Sequence, residues 1–399
     1  MKRLYESILE NHFKENTQMA FISGPRQVGK TTAARAFAEA AHYINWDRQE
    51  DRILLTQGPD HIAEKVKLSQ LVETKPAIIF DELHKYSKWK LFLKGFYDVY
   101  QQRCDILVTG SARLDTFKRG GDSLLGRYFP YRMHPFSVGE TLSQKAGTHC
   151  INQPKKPDKT VMEQLYRFGG FPDPFIKAST RYHNRWARMR RELLIREDVR
   201  DVSRIHEIGQ MEVLANILDF TASSMVNYTN LANDVNVSIE TIQRWLSTLE
   251  SLYYCFSIKP WFKNVSKSLR KQPKVYLWDW SVIREEGKRA ENFIACHLLK
   301  AVHYWTDMGL GNHALYYLRD KLKREVDFLV VKEGIPWFLV EVKKSATQAL
   351  STHLNYFQKA VDAQHAFQVS LEGDFVNRDC FAETSPVRVP AATFLSQLP

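Results

Sequence analysis

The sequence predicts an α/β chain. A parallel sheet covered by helices comes first, then a helical segment, a helix-turn-helix and a second α/β core. Three observations predict it. Strand-like apolar runs alternate with helical patterns through the first 150 residues. A glycine-containing loop stands directly between the first such run and the first alanine-rich helix. Two further apolar runs, joined by a short Gly-Pro turn, return in the last quarter of the chain. With 399 residues the chain is long enough for roughly two to four domains.

Taken in order, the runs are Met19 to Ser23, the helix Thr31 to Ala41, the strand Tyr43 to Trp46, the strand Ala77 to Phe80, the helix Trp89 to Tyr100, and the strand Asp105 to Ser111. The polar, proline-containing stretch Ile151 to Asp158 reads as a linker, which places a first domain at 1–150. Residues 160–225 read as helical, interrupted by Gly169-Gly170-Phe171-Pro172-Asp173-Pro174. Residues 226–275 read as a short helix, a turn, a longer helix and a strand pair. Strands return in 276–399, after a long helix over Arg289 to His303. No apolar run approaches the ~20 residues that cross a bilayer, and no apolar stretch follows Lys2-Arg3, so neither membrane insertion nor a signal peptide is expected. The five cysteines are scattered and never form C-x-x-C, which suits a reducing cytoplasm, so neither a disulfide framework nor a structural zinc site is expected. The 13 histidines show no metal-ligand spacing, and His84 is expected to cap a helix or face water.

The loop Gly24-Pro25-Arg26-Gln27-Val28-Gly29-Lys30-Thr31, followed by Thr32, satisfies G-x-x-x-x-G-K-S/T. Its glycines let backbone N–H groups curl around a polyphosphate, and the helix N-terminus adds its positive end. Lys30 would neutralise the γ-phosphate, and the Thr31 hydroxyl would hold Mg²⁺. The expected cofactors are therefore ATP and Mg²⁺. The strand ending Asp81-Glu82 supplies the second half of such a site, with Asp81 on the metal and Glu82 as the base for the attacking water. At the end of the third strand Ser111 is preferred to Thr109 as the hydroxyl that senses phosphate or positions water.

These residues resemble the bacterial and archaeal AAA+-type (ASCE, P-loop) ATP-binding proteins whose C-terminal half is a domain of unknown function. The resemblance continues through Gly126-Arg127-Tyr128-Phe129, Pro135 to Glu140 and Gly169 to Pro172. It implies a helical lid over 151–225 and a homo-oligomer in which an arginine reaches a neighbour's γ-phosphate. Arg127 and Arg113 are the candidates, with Arg119 behind them.

The formal net charge is +11, from 56 Lys+Arg and 45 Asp+Glu, and such an excess draws polyanions, DNA foremost. It is clustered. Lys259 to Lys274 carries six basic residues and no acid, with Trp261 and Phe262 among them, and Arg181 to Arg204 carries eight arginines. In 226–275, Ser238 is an N-cap for a helix to Leu252 whose Ile242, Trp245, Leu246 and Leu249 form a buried stripe; Glu240, Gln243, Arg244 and Ser247 face away. The following strand and basic stretch resemble the wing of a winged helix, which would lay the exposed face in a DNA groove or serve as a packing module.

In the last segment, Glu325 to Val331 and Trp337 to Lys343 are strands. Glu341 and Lys343 share one face, and Asp327 can meet them from the adjoining strand. Two carboxylates and a lysine on a sheet suit Mg²⁺-dependent phosphodiester cleavage. This resembles the PD-(D/E)XK nuclease superfamily, with Glu291 on the preceding helix as the extra acid, Glu291, Asp327 and Glu341 as metal ligands and Lys343 orienting the water. The expectation is an ATPase acting on DNA whose C-terminal restriction-endonuclease-like domain binds or cuts. The alternatives are a nucleotide switch with that domain as a partner-docking platform, and a defence effector whose nuclease is licensed by ATP.

Overall fold

The computed structural model describes residues 1–37, 41–70, 75–110, 124–199, 207–261 and 272–399. Ser111, Arg113, Arg119, Arg200, Arg204, Phe262, Lys263, Lys267, Arg270 and Lys271, all singled out above, lie outside the described residues. The chain divides into one unit of residues 1–134 with 144–146, and another of 135–143 with 147–399.

The first unit is built on strands β1 (Met19–Ser23), β2 (His42–Asn45), β3 (Ala77–Asp81), β4 (Asp105–Gly110) and β5 (Tyr128–Arg132), in the order β2-β3-β4-β1-β5. Every pairing is parallel. β1 and β3 are buried along their whole length, which is why they read as unbroken apolar runs. β4 lies between them, so the loop after β1 and the acids after β3 flank its end. The Trp89–Tyr100 helix buries Trp89, Phe92, Leu93, Phe96 and Tyr97, an i, i+3, i+4, i+7, i+8 stripe. Phe92 and Phe96 pack edge-on against Phe80 of β3. Each such ring contributes about 1.5–3 kcal/mol of burial, and this core fixes the strand that carries Asp81.

The second unit begins with helices that include Lys159–Phe168, Thr180–Leu193 and Ile208–Thr221. There follow β6 (Ser224–Met225), the helices Tyr228–Val235 and Ile239–Ser251, β7 (Cys255–Pro260) and β8 (Lys274–Leu277). Asn236 takes a left-handed conformation between the two helices, and the Ser238 hydroxyl accepts the Thr241 N–H as the predicted cap. Ile242, Trp245, Leu246 and Leu249 are buried, while Glu240, Gln243, Arg244 and Ser247 are exposed, as the spacing predicts. The strand begins at Cys255 rather than Tyr253, because Tyr253 turns the chain at φ 58°.

β8 pairs antiparallel with both β6 and β7. β7 also pairs in parallel with β9 (His313–Arg319) through Lys259–Tyr316 and Pro260–Tyr317. With β10 (Glu325–Lys332), β11 (Ile335–Lys343), β12 (His365–Ser370) and β13 (Val387–Pro390) the order is β13-β12-β11-β10-β9-β7-β8-β6, and this sheet runs through residue 275 without a break. The helix Glu286–Asp307 is longer than predicted at both ends and packs against β8, β9, β10 and β11, where it delivers Glu291. Among the described residues no helix is long and apolar enough to cross a membrane.

Candidate functional site

The loop Gly24–Lys30 leaves the end of β1 and closes on the first turn of the Lys30–Phe37 helix, where the Ala33 N–H donates to Gly29 O at 2.9 Å. The turn uses backbone that few residues other than glycine tolerate, with φ 153° at Gly24 and 99° at Gly29. A Cβ on Gly24 would stand 2.4 Å from the Met133 carbonyl oxygen, so the close approach also demands glycine. Lys30 is buried and donates to the carbonyls of Gly24 and Pro25 at 2.9 and 2.7 Å. Thr31 is half-buried and Thr32 exposed. Behind the loop, buried Arg3 donates to Val28 O and, at 2.6 Å, to His134 O. That brace was not foreseen, since nothing local in the first residues announces it.

Asp81 is the convergence point. Its carboxylate accepts from the Thr31 hydroxyl at 3.1 Å and from the hydroxyls of Thr109 and Tyr43. Burial, reinforced by Asp81, pushes the Tyr43 phenol up to about 12, so Tyr43 stays a donor at every working pH. The parallel register sets Asp81 beside Thr109, and it is Thr109 that reaches the acid. Ser111, the sequence-preferred hydroxyl, lies outside the described residues. Glu82 follows at φ 54°, its N–H donating to Thr109 O at 3.0 Å. Its carboxylate stands 3.4 Å from Lys85 and 3.7 Å from His84, which is buried rather than facing water. Burial opposes the Lys85 charge, but Asp47 and Glu82 outweigh it and hold the ammonium above its usual value.

Arg127 is not brought to this site. Its carbonyl accepts the Met19 N–H at the start of β1, about 13 Å of strand away from the loop, and its guanidinium pairs with Asp98 at 2.7 Å. The oxygen set around Asp81 predicts a measurable coupling. Thr109→Val removes a hydroxyl that orients the carboxylate and is expected to raise the Mg²⁺ concentration needed for half-maximal ATP turnover about 10–100-fold, read by a Mg²⁺ titration at saturating ATP.

In the second unit, Asp327, Glu341 and Lys343 do meet. Lys343 donates to Glu341 Oε1 at 2.7 Å, and Asp327 accepts the Val342 N–H at 2.8 Å. The surprise is Lys274. Predicted as part of a phosphate-facing basic stretch, it is instead buried, 2.5 Å from Glu325, 3.1 Å from Glu291 and 3.7 Å from Asp327. Tyr276 donates to Glu291 at 2.8 Å, and Arg319 pairs with Glu325 at 2.7 Å. Burial, with Asp327 adding to it, pushes Glu291 up to about 8 and Glu341 up to about 7; burial raises Asp327 as well. Burial works against the Lys274 charge, yet the acids around it hold its pKa well above the usual lysine value.

Among the described residues no three His, Cys, Asp or Glu side chains are arranged to hold a metal ion. The expected ligands Glu291 and Asp327 face an ammonium instead, and buried Glu341 Oε2 has no partner among the described residues. The residues as placed therefore do not fit a divalent ion. Of the rest of the basic stretch, Lys259 is exposed and half-buried Trp261 packs on the Leu318–Leu339 core. Glu325, Tyr276 and Arg319 were missed, although Glu325 shares the strand face of Asp327.

Residues 16–142 match the AAA domain family, and residues 159–286 and 286–382 match two domains of unknown function, DUF8612 and DUF4143. An uncharacterized protein of Mycobacterium tuberculosis is 23% identical over 84% of this chain and 72% of its own length. An uncharacterized protein of Methanocaldococcus jannaschii is 23% identical over 88% of this chain and 81% of its own. Among solved structures, a Walker-type ATPase of Pyrococcus abyssi aligns over 70% of this chain and 93% of that one, at 16% identity and a TM-score of 0.43. The loop, the Asp81 strand and the matched family together make the first unit a P-loop AAA-type ATPase domain.

Proposed function

We propose that the protein binds ATP with Mg²⁺, hydrolyses it, and couples the nucleotide cycle to action on DNA through its second unit. One observation carries the nucleotide part: the Thr31 hydroxyl and the Asp81 carboxylate meet at 3.1 Å beside buried Lys30. Two hard oxygens at that spacing fit Mg²⁺, which when bound supplies positive charge to the β- and γ-phosphates. Lys30 would exchange its bonds to Gly24 and Pro25 for phosphate oxygens. Thr109 and Tyr43 orient Asp81, and Lys85 holds Glu82 where it can polarise water. An Arg127 finger would have to come from another subunit, since in its own chain it lies at the far end of β1.

Support for the DNA part comes from element order and exposure. Helix, strand, two helices and two strands, with β6 on β8 and β8 on β7, is the element order a winged helix would have, and the helix Ile239–Ser251 exposes Gln243, Arg244 and Ser247. Arg181, Arg185 and Arg188 are exposed on the Thr180–Leu193 helix. The test is ATP turnover with and without single-stranded, duplex and four-way DNA. We expect stimulation by DNA that vanishes in Lys30→Ala, and DNA binding that falls about 10³-fold or more between 50 and 200 mM salt. Turnover indifferent to all three DNAs at low salt overturns the coupling.

A second reading, cleavage by the C-terminal unit, has the unpartnered Glu341 Oε2 in its favour and the Lys274 ammonium against it. Under it, Asp327→Asn abolishes cleavage in Mg²⁺ or Mn²⁺ and spares ATP turnover; absence of cleavage by the parent chain removes it.

A further inference from the structure

The Thr180–Leu193 helix carries an arginine unlike its neighbours. Arg190 is only 8% exposed. Its guanidinium lies 4.1 Å over the Phe171 ring and 5.7 Å from that of Trp186. Among the described residues its side chain makes no hydrogen bond or ion pair; Asp279, Tyr254 and Asp198 act on it through their charge. Stacking on an aromatic face uses none of the guanidinium N–H donors, which lie in its plane. An arginine cannot escape the cost of burial by losing its proton, so this charge is held in place with Asp279, Tyr254 and Asp198 offsetting only part of that cost.

Arg190 lines a cavity of about 310 Å³ together with Arg188, Arg191, Arg284, Asp219 and Asp279. Both acids are already committed. Asp279 accepts the N–H and the hydroxyl of Ser281, and Asp219 accepts from Arg191 at 2.8 Å and from the Tyr254 hydroxyl at 2.5 Å. Arg188 and Arg284 are exposed at its rim. Four guanidinium groups against the two engaged lining carboxylates and buried Asp198 leave a positive excess that suits an anion, and planar N–H forks suit tetrahedral phosphate oxygens.

We propose that this cavity is a phosphate-monoester site, with Arg190 as the buried anchor and Arg188 and Arg284 at the mouth. The ligand is either the terminal phosphate of a nucleic-acid strand or a small phosphorylated molecule. The site is separate from the P-loop and does not depend on ATP hydrolysis.

The test uses the full chain carrying Lys30→Ala, so that the P-loop does not contribute, while ATP turnover by the parent chain reports independently on the ATPase reading. Inorganic phosphate is titrated by thermal shift, and labelled oligonucleotides ending in a 5′-phosphate or a 5′-hydroxyl are compared by anisotropy. We expect phosphate to raise the melting temperature and the 5′-phosphorylated strand to bind about tenfold more tightly. Both effects should disappear in Arg190→Gln and weaken in the rim variant Arg284→Ala, whose fold does not depend on a buried charge. Stabilisation by phosphate without strand discrimination identifies a small-molecule source. No stabilisation and no discrimination, or effects that survive in Arg284→Ala at full strength, overturn the proposal.

Discussion

Glu82→Gln is expected to retain ATP with near-parental affinity while turning it over about 10²–10⁴-fold more slowly. The geometry separates the two functions. In the proposed site phosphate recognition falls to Gly24–Thr31 and the metal to Asp81, and among the described residues the Glu82 carboxylate pairs with Lys85 and His84 instead. Glu82 is instead held by the left-handed turn at the end of β3, by its N–H to Thr109 O and by Lys85. Replacing the carboxylate by an amide keeps the shape and most of the contacts but removes the proton acceptor. Lys30→Ala should show the opposite pattern, with affinity lost first. Equilibrium binding of a fluorescent ATP analogue, set beside steady-state phosphate release, distinguishes them. Parental turnover in Glu82→Gln would remove Glu82 as the base and transfer attention to the hydroxyls at the end of β4.

What could be read in the chain was what is local. The phosphate loop is one continuous motif, and the burial of β3 is written in Ala77 to Phe80. The helix Ile239–Ser251 could be placed to within one residue, because its cap and its 3.6-residue stripe lie inside a single element. The contacts that complete each site join residues far apart in sequence. Thr109 reaches Asp81 because β4 lies directly beside β3, and no pattern in either strand states that order. Arg3 supports Val28 across 25 residues, and Tyr43 meets Asp81 across 38. Lys274 was misread for a more specific reason. A run of basic residues without acids looks solvated, and the compensating acids Glu291, Glu325 and Asp327 arrive from a helix and a strand much later in the chain. The same alternation that placed Glu341 and Lys343 on one face also placed Lys274 and Tyr276 on one, but alternation says nothing of which face is buried.

Lys274→Met is expected to destabilise the second unit by about 3–5 kcal/mol at pH 7, because it leaves Glu291, Glu325 and Asp327 without the cation they surround. The pH dependence gives the result its signature. Glu291 at about 8 and Glu341 at about 7 lie above their unfolded value of ~4.3. Between those limits the folded chain keeps protons that the unfolded chain has released. Their contribution to stability is therefore complete below pH ~4.3 and is lost as the pH rises through 7 and 8, with a slope of up to about 1.4 kcal/mol per pH unit per group. In the parent, Lys274 limits that loss. In Lys274→Met the decline from pH 5 to pH 8 should steepen, and adding Glu291→Gln should flatten it. Thermal unfolding of the second unit across that range measures both. A Mn²⁺ titration adds a discriminating arm: stabilisation of Lys274→Met but not of the parent means that the ammonium occupies a cation's place and that the cluster is closed to metal by sequence. Stabilisation of the parent to the same degree means that Lys274 yields to the ion, and the cleavage reading then regains its footing. A melting temperature independent of pH in both chains would show that the cluster is not the coupled charge system the distances describe.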